Sequence, residues 1–234
     1  MYSFPPLAAA IGVLYTVVTG LTTALTPLLG PAAATAAIVL LTVAVRLALL
    51  PLGYAQVRGE RTRATLLPKI QDLQRKYRSN PERLRRELAA LYQREGTSPL
   101  AGCLPALTQA PVFMVLYGLF LTAEVSGRSN VLLTDTLAGV PLGSRLLDVA
   151  GADLVTFAVL FGLLALVAVA TRRTMPTAPQ ETPGAGLIRL VPFGTVLVAA
   201  VVPLAAGLYL LTTTAWTVAE RTVLRRRLAG HKPG

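Results

Sequence analysis

The sequence predicts an all-α membrane protein with five transmembrane helices, an N-terminal interfacial helix and a cytoplasmic helical hairpin. Three observations carry this. Of 234 residues, 53% are hydrophobic and only 14% charged, where a soluble domain has about a quarter of its residues charged. The charges are clumped, so that long stretches carry none. The cations, finally, concentrate in alternate connections between the apolar segments, as the positive-inside rule requires. The net charge is +11 but aromatic residues are only 6%, so no specific nucleic-acid partner is expected. One cysteine, Cys103, and one histidine, His231, exclude an intrachain disulfide framework, a multi-cysteine zinc site and the usual histidine chemistry. The phosphate-binding pattern GxxxxGK[ST] is missing. No cofactor, metal or enzymatic reaction is expected.

Residues 1–30 form the first element. Met1 to Thr42 holds no charge, and Leu7–Leu29 is long enough to span, since about 20 residues cross a hydrocarbon core. Thr16, Thr19, Thr23 and Thr26 fall on one helical face, and Ile11, Leu14, Val18, Leu21, Leu25 and Leu28 largely on the other. Such a helix either lies flat in the outer interface or packs as a further span. Gly30-Pro31 ends it. The first span is 31–57, interrupted only by Arg46.

Residues 58–97 form the hairpin. Leu66, Ile70, Leu73 and Tyr77 recur at helical spacing, as do Leu84, Leu88 and Leu91. Between them Ser79-Asn80-Pro81-Glu82 reads as a stop, an Asn N-cap, a first-turn proline and an acidic first turn. Asp72 with Lys76 and Glu82 with Arg86 are i,i+4 pairs. Eleven cations lie in Arg58–Glu95. They either enforce topology and bind anionic phospholipids, or belong to an arm that touches incoming partners through Lys69, Arg75, Lys76, Arg83 and Arg86.

The second span is 98–123, the outer loop 124–151, the third span 152–173 and a cytoplasmic loop 174–186. Glu124–Asp153 has only Arg128 and Arg145 as cations. The apolar run Leu187–Ala219 would be a helix of about 50 Å, too long for a core of about 30 Å. Its two flanks are both basic, so it must fold back near Ala200–Pro203 into a fourth span, 187–200, and a fifth, 201–220. The basic tail 221–234 is then cytoplasmic.

Arg46 is the expensive residue, costing roughly 2.5–3.5 kcal/mol near mid-membrane. No Asp, Glu or His is expected inside another span to pair with it, Asp153 being at an outer edge. Arg58, the nearest basic flank, is about 16 Å further along a helix, which is far for snorkelling. The remaining explanation is a wet cavity. Thr42 stands one turn before Arg46, Gln109 lies in the second span, and Tyr209, Thr213 and Trp216 form an i, i+4, i+7 stripe in the last. For that stripe, ordinary helix packing or an interfacial anchor stays open.

These segments resemble the YidC family of membrane protein insertases, relatives of the mitochondrial oxidase-assembly and chloroplast Albino insertases. The resemblance runs from about Leu25 to Arg227. Its carriers are Thr42–Pro51, the basic hairpin Lys69–Glu95, Gly96–Pro105 continuing through Gln109-Ala110-Pro111 to Leu116-Tyr117, and Pro203–Tyr209 through Trp216. The resemblance implies a flat outer helix before the first span and a hydrophilic groove open to the cytoplasm and to lipid. It makes Arg46 the groove arginine and puts Gln109 and Tyr209 on the lining. The implied setting is a bacterial plasma membrane, multi-pass, with a cytoplasmic C-terminus. The implied partners are nascent membrane proteins, with the Sec translocon and the ribosome as further candidates. Two other functions stay open: an anion or metabolite transporter using Arg46, and a structural assembly factor.

Overall fold

Helices dominate the computed structural model, which describes residues 5–96, 104–125, 127–174 and 191–230. In chain order they are α1 (Pro5–Leu29), α2 (Ala33–Ala48), α3 (Leu50–Lys76), α4 (Pro81–Arg94), α5 (Leu104–Leu121), α6 (Leu154–Thr174), α7 (Gly194–Val201) and α8 (Leu204–Gly230). They fall into two units. One is Met1–Ala48 with Val112–Val223, and the other is Leu49–Pro111 with Leu224–Gly234.

In the first unit α1 packs along α2. Ile11 and Val18 are buried on the face expected from their spacing, with Leu14, Leu21 and Leu25 against the same core. Leu28, expected there too, is exposed at the helix end, where Pro27 and Gly30 (φ 52°) turn the chain. The hydroxyls of Thr16, Thr19, Thr22, Thr23 and Thr26 each donate to the carbonyl four residues back, at 2.8–3.0 Å. Bonded this way, the polar stripe offers few free donors to an apolar surrounding. On α2, Ala33, Ala34 and Ala37 are buried beside Ile38 and Leu41, and their small side chains allow close packing.

The expected first span, 31–57, is not one helix. α2 stops at Ala48 and α3 begins at Leu50. Pro51, at the start of α3, has no N–H and its ring would strike the carbonyl of Leu47. Leu52 and Gly53 instead donate to Leu49 O at 3.0 and 3.1 Å. α3 then runs unbroken to Lys76, so the charge boundary at 57/58 is not a backbone boundary.

The connection after α5 is folded rather than a plain loop. It contains two short antiparallel hairpins, β1 (Glu124–Val125) with β2 (Arg128–Ser129), and β3 (Thr136–Leu137) with β4 (Val140–Pro141). Ala138 and Gly139 at the second turn have φ of 51° and 88°, the conformation of a two-residue I′ turn. Leu132, Val140 and Leu142 from this connection enter the core with Ile38, Phe120, Phe157 and Leu204. Asn130 is buried and donates through Nδ2 to Leu119 O (2.8 Å) and Thr122 O (3.0 Å), satisfying carbonyls at the end of α5.

α6 buries Phe157, Leu160, Leu164 and Ala168 and exposes Val155, Val159, Leu163 and Leu166 on the other side. A helix apolar on both sides suits a protein core on one and lipid on the other. Leu166 is 65% exposed and Leu197, on α7, 74%, an apolar surface unlike that of a soluble monomer. Among the described residues, two stretches are long and apolar enough to cross a membrane, Pro5–Ala48 and Gly151–Arg173.

The long apolar run breaks where expected, at Val202-Pro203. α8 begins with Leu204 N donating to Ser144 O (2.9 Å) and Ala205 N to Leu142 O (2.8 Å), so loop carbonyls meet two of its first-turn donors. At Gly207 an added Cβ would stand 2.7 Å from Leu160 Cδ2, so a side chain there would force Leu160 to shift. α8 does not stop at 220. It continues to Gly230, which makes Arg221–Arg227 helical rather than a separate tail. Residues 187–190 of the expected fourth span lie outside the described residues.

In the second unit α3 and α4 form the expected hairpin. Asn80 Oδ1 accepts from Arg83 N at 3.0 Å, with Pro81 and Glu82 in the first turn. Leu66 is buried, and Ile70, Leu73, Tyr77, Leu84, Leu88 and Leu91 are half-buried along the seam. Lys69 Nζ pairs with Glu95. The Glu82–Arg86 pair forms at 3.9 Å between exposed side chains. Asp72 and Lys76 do not pair. Lys76 Nζ instead sits 5.4 Å from the Tyr77 ring centre, as does the Arg83 guanidinium carbon. Arg225 Nη2 meets Glu60 Oε2 at 3.4 Å, and Arg61 Nη2 donates to Arg225 O at 3.1 Å, joining the end of α8 to α3 within this unit.

Candidate functional site

Arg46 is the last polar residue of α2, two residues before that helix ends. Its flanking positions Val45 and Leu47 are apolar. Its side chain is half-buried, neither sealed in the core nor freely solvated. Nε donates to Thr213 Oγ1 at 2.8 Å, and Nη2 donates to the same oxygen. No carboxylate oxygen lies within 4.0 Å of it among the described residues. A half-buried cation met by a neutral hydroxyl retains its full charge and has further N–H donors to offer.

Thr213 comes from α8 and is buried. Tyr209 stands one turn before it on the same helix, with its phenol near Arg46. Tyr209 is buried with its ring tilted 41° against Phe120, centroids 6.0 Å apart. One turn beyond Thr213, Trp216 is half-buried and donates Nε1 to Glu220 Oε2 at 3.0 Å. Tyr209, Thr213 and Trp216 are thus spaced along one face of α8, and Thr213 is the one that bonds Arg46.

Thr42 is not brought to Arg46. It is buried, and its hydroxyl donates to Ile38 O at 2.7 Å, so it faces the core. Gln109 is on α5, and its side chain lies outside the described residues. Lys69, Arg75, Lys76, Arg83 and Arg86 are exposed on the hairpin, in the other unit. Lys69 is engaged by Glu95.

The residue missed by sequence reasoning is Glu220. No acid was expected inside a span, yet Glu220 occupies the last position of the 201–220 segment and its charge acts on Arg46. It reads in sequence as the first charge of a basic flank. The signal that could have found it is its i+4 spacing from Trp216. Among the described residues no three His, Cys, Asp or Glu cluster to hold a metal ion.

A mostly helical chain with apolar faces turned outward and a charged, hydroxyl-lined site on an apolar helix is a membrane protein built around a polar interior feature. The sequence profile of the 60Kd inner membrane protein family matches residues 24–231, and the chain belongs to that family, which is the YidC insertase family. A Membrane protein insertase YidC of Clostridium perfringens is 41% identical over 102 residues, 43% of each chain. An Inner membrane ALBINO3-like protein 2 from Chlamydomonas reinhardtii is 41% identical over 105 residues, 45% of this chain and 24% of that one. A Membrane protein insertase YidC of Streptomyces avermitilis is 28% identical over 216 residues, 81% of this chain and 50% of its own. The chain thus matches half or less of the length of these relatives.

Proposed function

We propose that this chain is a membrane protein insertase of a bacterial plasma membrane, working without nucleotide hydrolysis. The observation that carries the reading is Arg46, a half-buried guanidinium on an apolar helix held by Thr213 and by no carboxylate. A charge kept out of any direct ion pair in such a place is costly, and a transient anionic ligand is its natural use. In this reading a client's short polar or acidic outer region enters a hydrophilic groove and is held near Arg46, Tyr209, Thr213 and Trp216. Bare lipid would impose several kcal/mol for each unsatisfied backbone group. The client's apolar segment then leaves sideways into lipid, driven by about 25 cal/mol per Å² of buried apolar area.

The proposed frame is five spans with a cytoplasmic C-terminus. The α3–α4 hairpin meets clients and anionic headgroups. The Sec translocon and the ribosome are proposed partners. α1 is proposed to lie along the outer interface, and its contacts support this. Tyr15, mid-helix, lies 3.5 Å from Ser129 O and 3.4 Å from Val131 N. Thr22 and Thr26 share with Thr134 and Asp135 the wall of a cavity of about 370 Å³. Two points about 16 Å apart along one helix therefore touch the same connection, 124–153, which a helix crossing away from that connection could not do.

The test is depletion of the protein followed by insertion of a small single-span client with an acidic outer region. Wild type is expected to restore insertion. Arg46→Ala is expected to lose about 10- to 100-fold of it, the worth of one hydrogen bond to a charged group. Equal rescue by the two overturns the arginine mechanism, and solute uptake without insertion overturns the insertase reading.

A further inference from the structure

We propose that Glu220 is a second ligand-binding group of this site, one that takes a cationic side chain from the retained flank of the client. The inference rests on the insertase reading above and adds to it that the groove recognises charge of both signs.

Glu220 follows Thr213 by seven residues on α8, two turns or about 10 Å, so it shares the face of Thr213 and Trp216. Its carboxylate is oriented: Trp216 Nε1 holds Oε2 at 3.0 Å. The other oxygen, Oε1, is buried and accepts no hydrogen bond. A carboxylate oxygen has two lone-pair sites, and leaving one buried and bare is unfavourable unless something fills it in use. Arg46 and Arg221 both act on Glu220 through their charge. Arg46 spends its contacts on Thr213 and does not close an ion pair with Glu220. The two opposite charges are thus held near each other but separately, each with bonding capacity left.

The position gives the ligand its sign. Beyond Glu220, α8 carries Arg221, Arg225, Arg226 and Arg227. An acid at the edge of that basic stretch is the local attractor for a cation. Membrane segments retain their cationic flank on the cytoplasmic side. A client that enters as a loop, with the outer and the retained flank of its apolar segment side by side, can place its acidic residue at Arg46 and a Lys or Arg on Glu220.

The experiment uses the full chain in vesicles of phosphatidylethanolamine and phosphatidylglycerol. Two single-span clients carry the same acidic outer region and differ only in a retained flank of Lys or of Gln. Glu220→Gln is expected to lower insertion of the Lys-flanked client about tenfold and leave the Gln-flanked client at wild-type level. Glu220→Lys is expected to prefer a third client with a Glu flank, a gain that misfolding cannot produce. Equal loss for the Lys and Gln clients with no gain for the Glu client makes Glu220 a structural counter-charge and overturns the proposal. Wild-type insertion of both, unaltered by the Glu220 variants, overturns it alone. Failure of wild type to insert either client overturns the insertase reading, and this proposal with it.

Discussion

Replacing Thr213 by Val tests whether its hydroxyl holds Arg46. Valine matches threonine in shape and replaces the hydroxyl, donor and acceptor together, by a methyl. Two guanidinium N–H groups converge on that oxygen, at 2.8 Å for Nε. A hydrogen bond to a charged group is worth about 1.5–3 kcal/mol. The added methyl returns no more than about 0.8 kcal/mol of apolar burial. The loss therefore outweighs the gain, and Thr213→Val should be destabilising by about 1–2 kcal/mol. At about 2–4 °C per kcal/mol for a chain of this size, that is about 2–8 °C in thermal unfolding in detergent micelles. Thr213→Ser keeps the oxygen and should recover most of the loss. A double-mutant cycle with Arg46→Met isolates the pair, with an expected coupling of at least about 1 kcal/mol. A coupling below about 0.5 kcal/mol, within the additivity error of independent sites, would refute the reasoning.

Two further perturbations probe the connection after α5. Asn130→Ala removes the donors to Leu119 O and Thr122 O and leaves buried helix-end carbonyls bare; it should cost about 2–3 kcal/mol by thermal unfolding, and a loss under about 0.5 kcal/mol rules out the capping role. Partial burial beside the cavity raises the Asp135 carboxyl above its usual range. A raised acid favours its neutral form, so the stability it contributes is complete below its ordinary pKa of about 3.9 and is lost as pH climbs through the raised value. Asp135→Asn should therefore be more stable than wild type at pH 7, with the margin shrinking towards pH 3. An equal margin at the two pH values contradicts this.

Backbone punctuation was legible in the sequence. Asn80-Pro81-Glu82 starts α4 as its residue types require, and Val202-Pro203 interrupts the long apolar run. So was the face of α1 that buries Ile11 and Val18. Charge boundaries do not coincide with helix ends. α3 crosses 57/58 and α8 crosses 220/221 without a break, because a helix can pass from an apolar to an aqueous setting with its backbone bonds intact. Glu220 is hard to read from sequence because it is followed directly by the basic run Arg221–Arg227. Thr42 was assigned to the site by its spacing from Arg46, but its back-bond to Ile38 and its burial turn it inward. The hairpins of 124–141 left no trace, since two-residue strands are too short to show alternation. The bonds of Asn130 depend on where distant carbonyls stand, which no local pattern encodes.

The two bonds from Leu204 and Ala205 to the 142–144 carbonyls pin α8 at its start. Gly207 interlocks with Leu160 within the same first turn. A helix pinned at its start holds the residues nearest the pin most firmly. Tyr209 lies about 8 Å from that fastening, Thr213 about 13 Å and Glu220 about 24 Å. Cargo wedged against α8 would barely disturb the phenol, and the play in the helix lies between that pin and the contacts of Arg225 with Glu60 and Arg61.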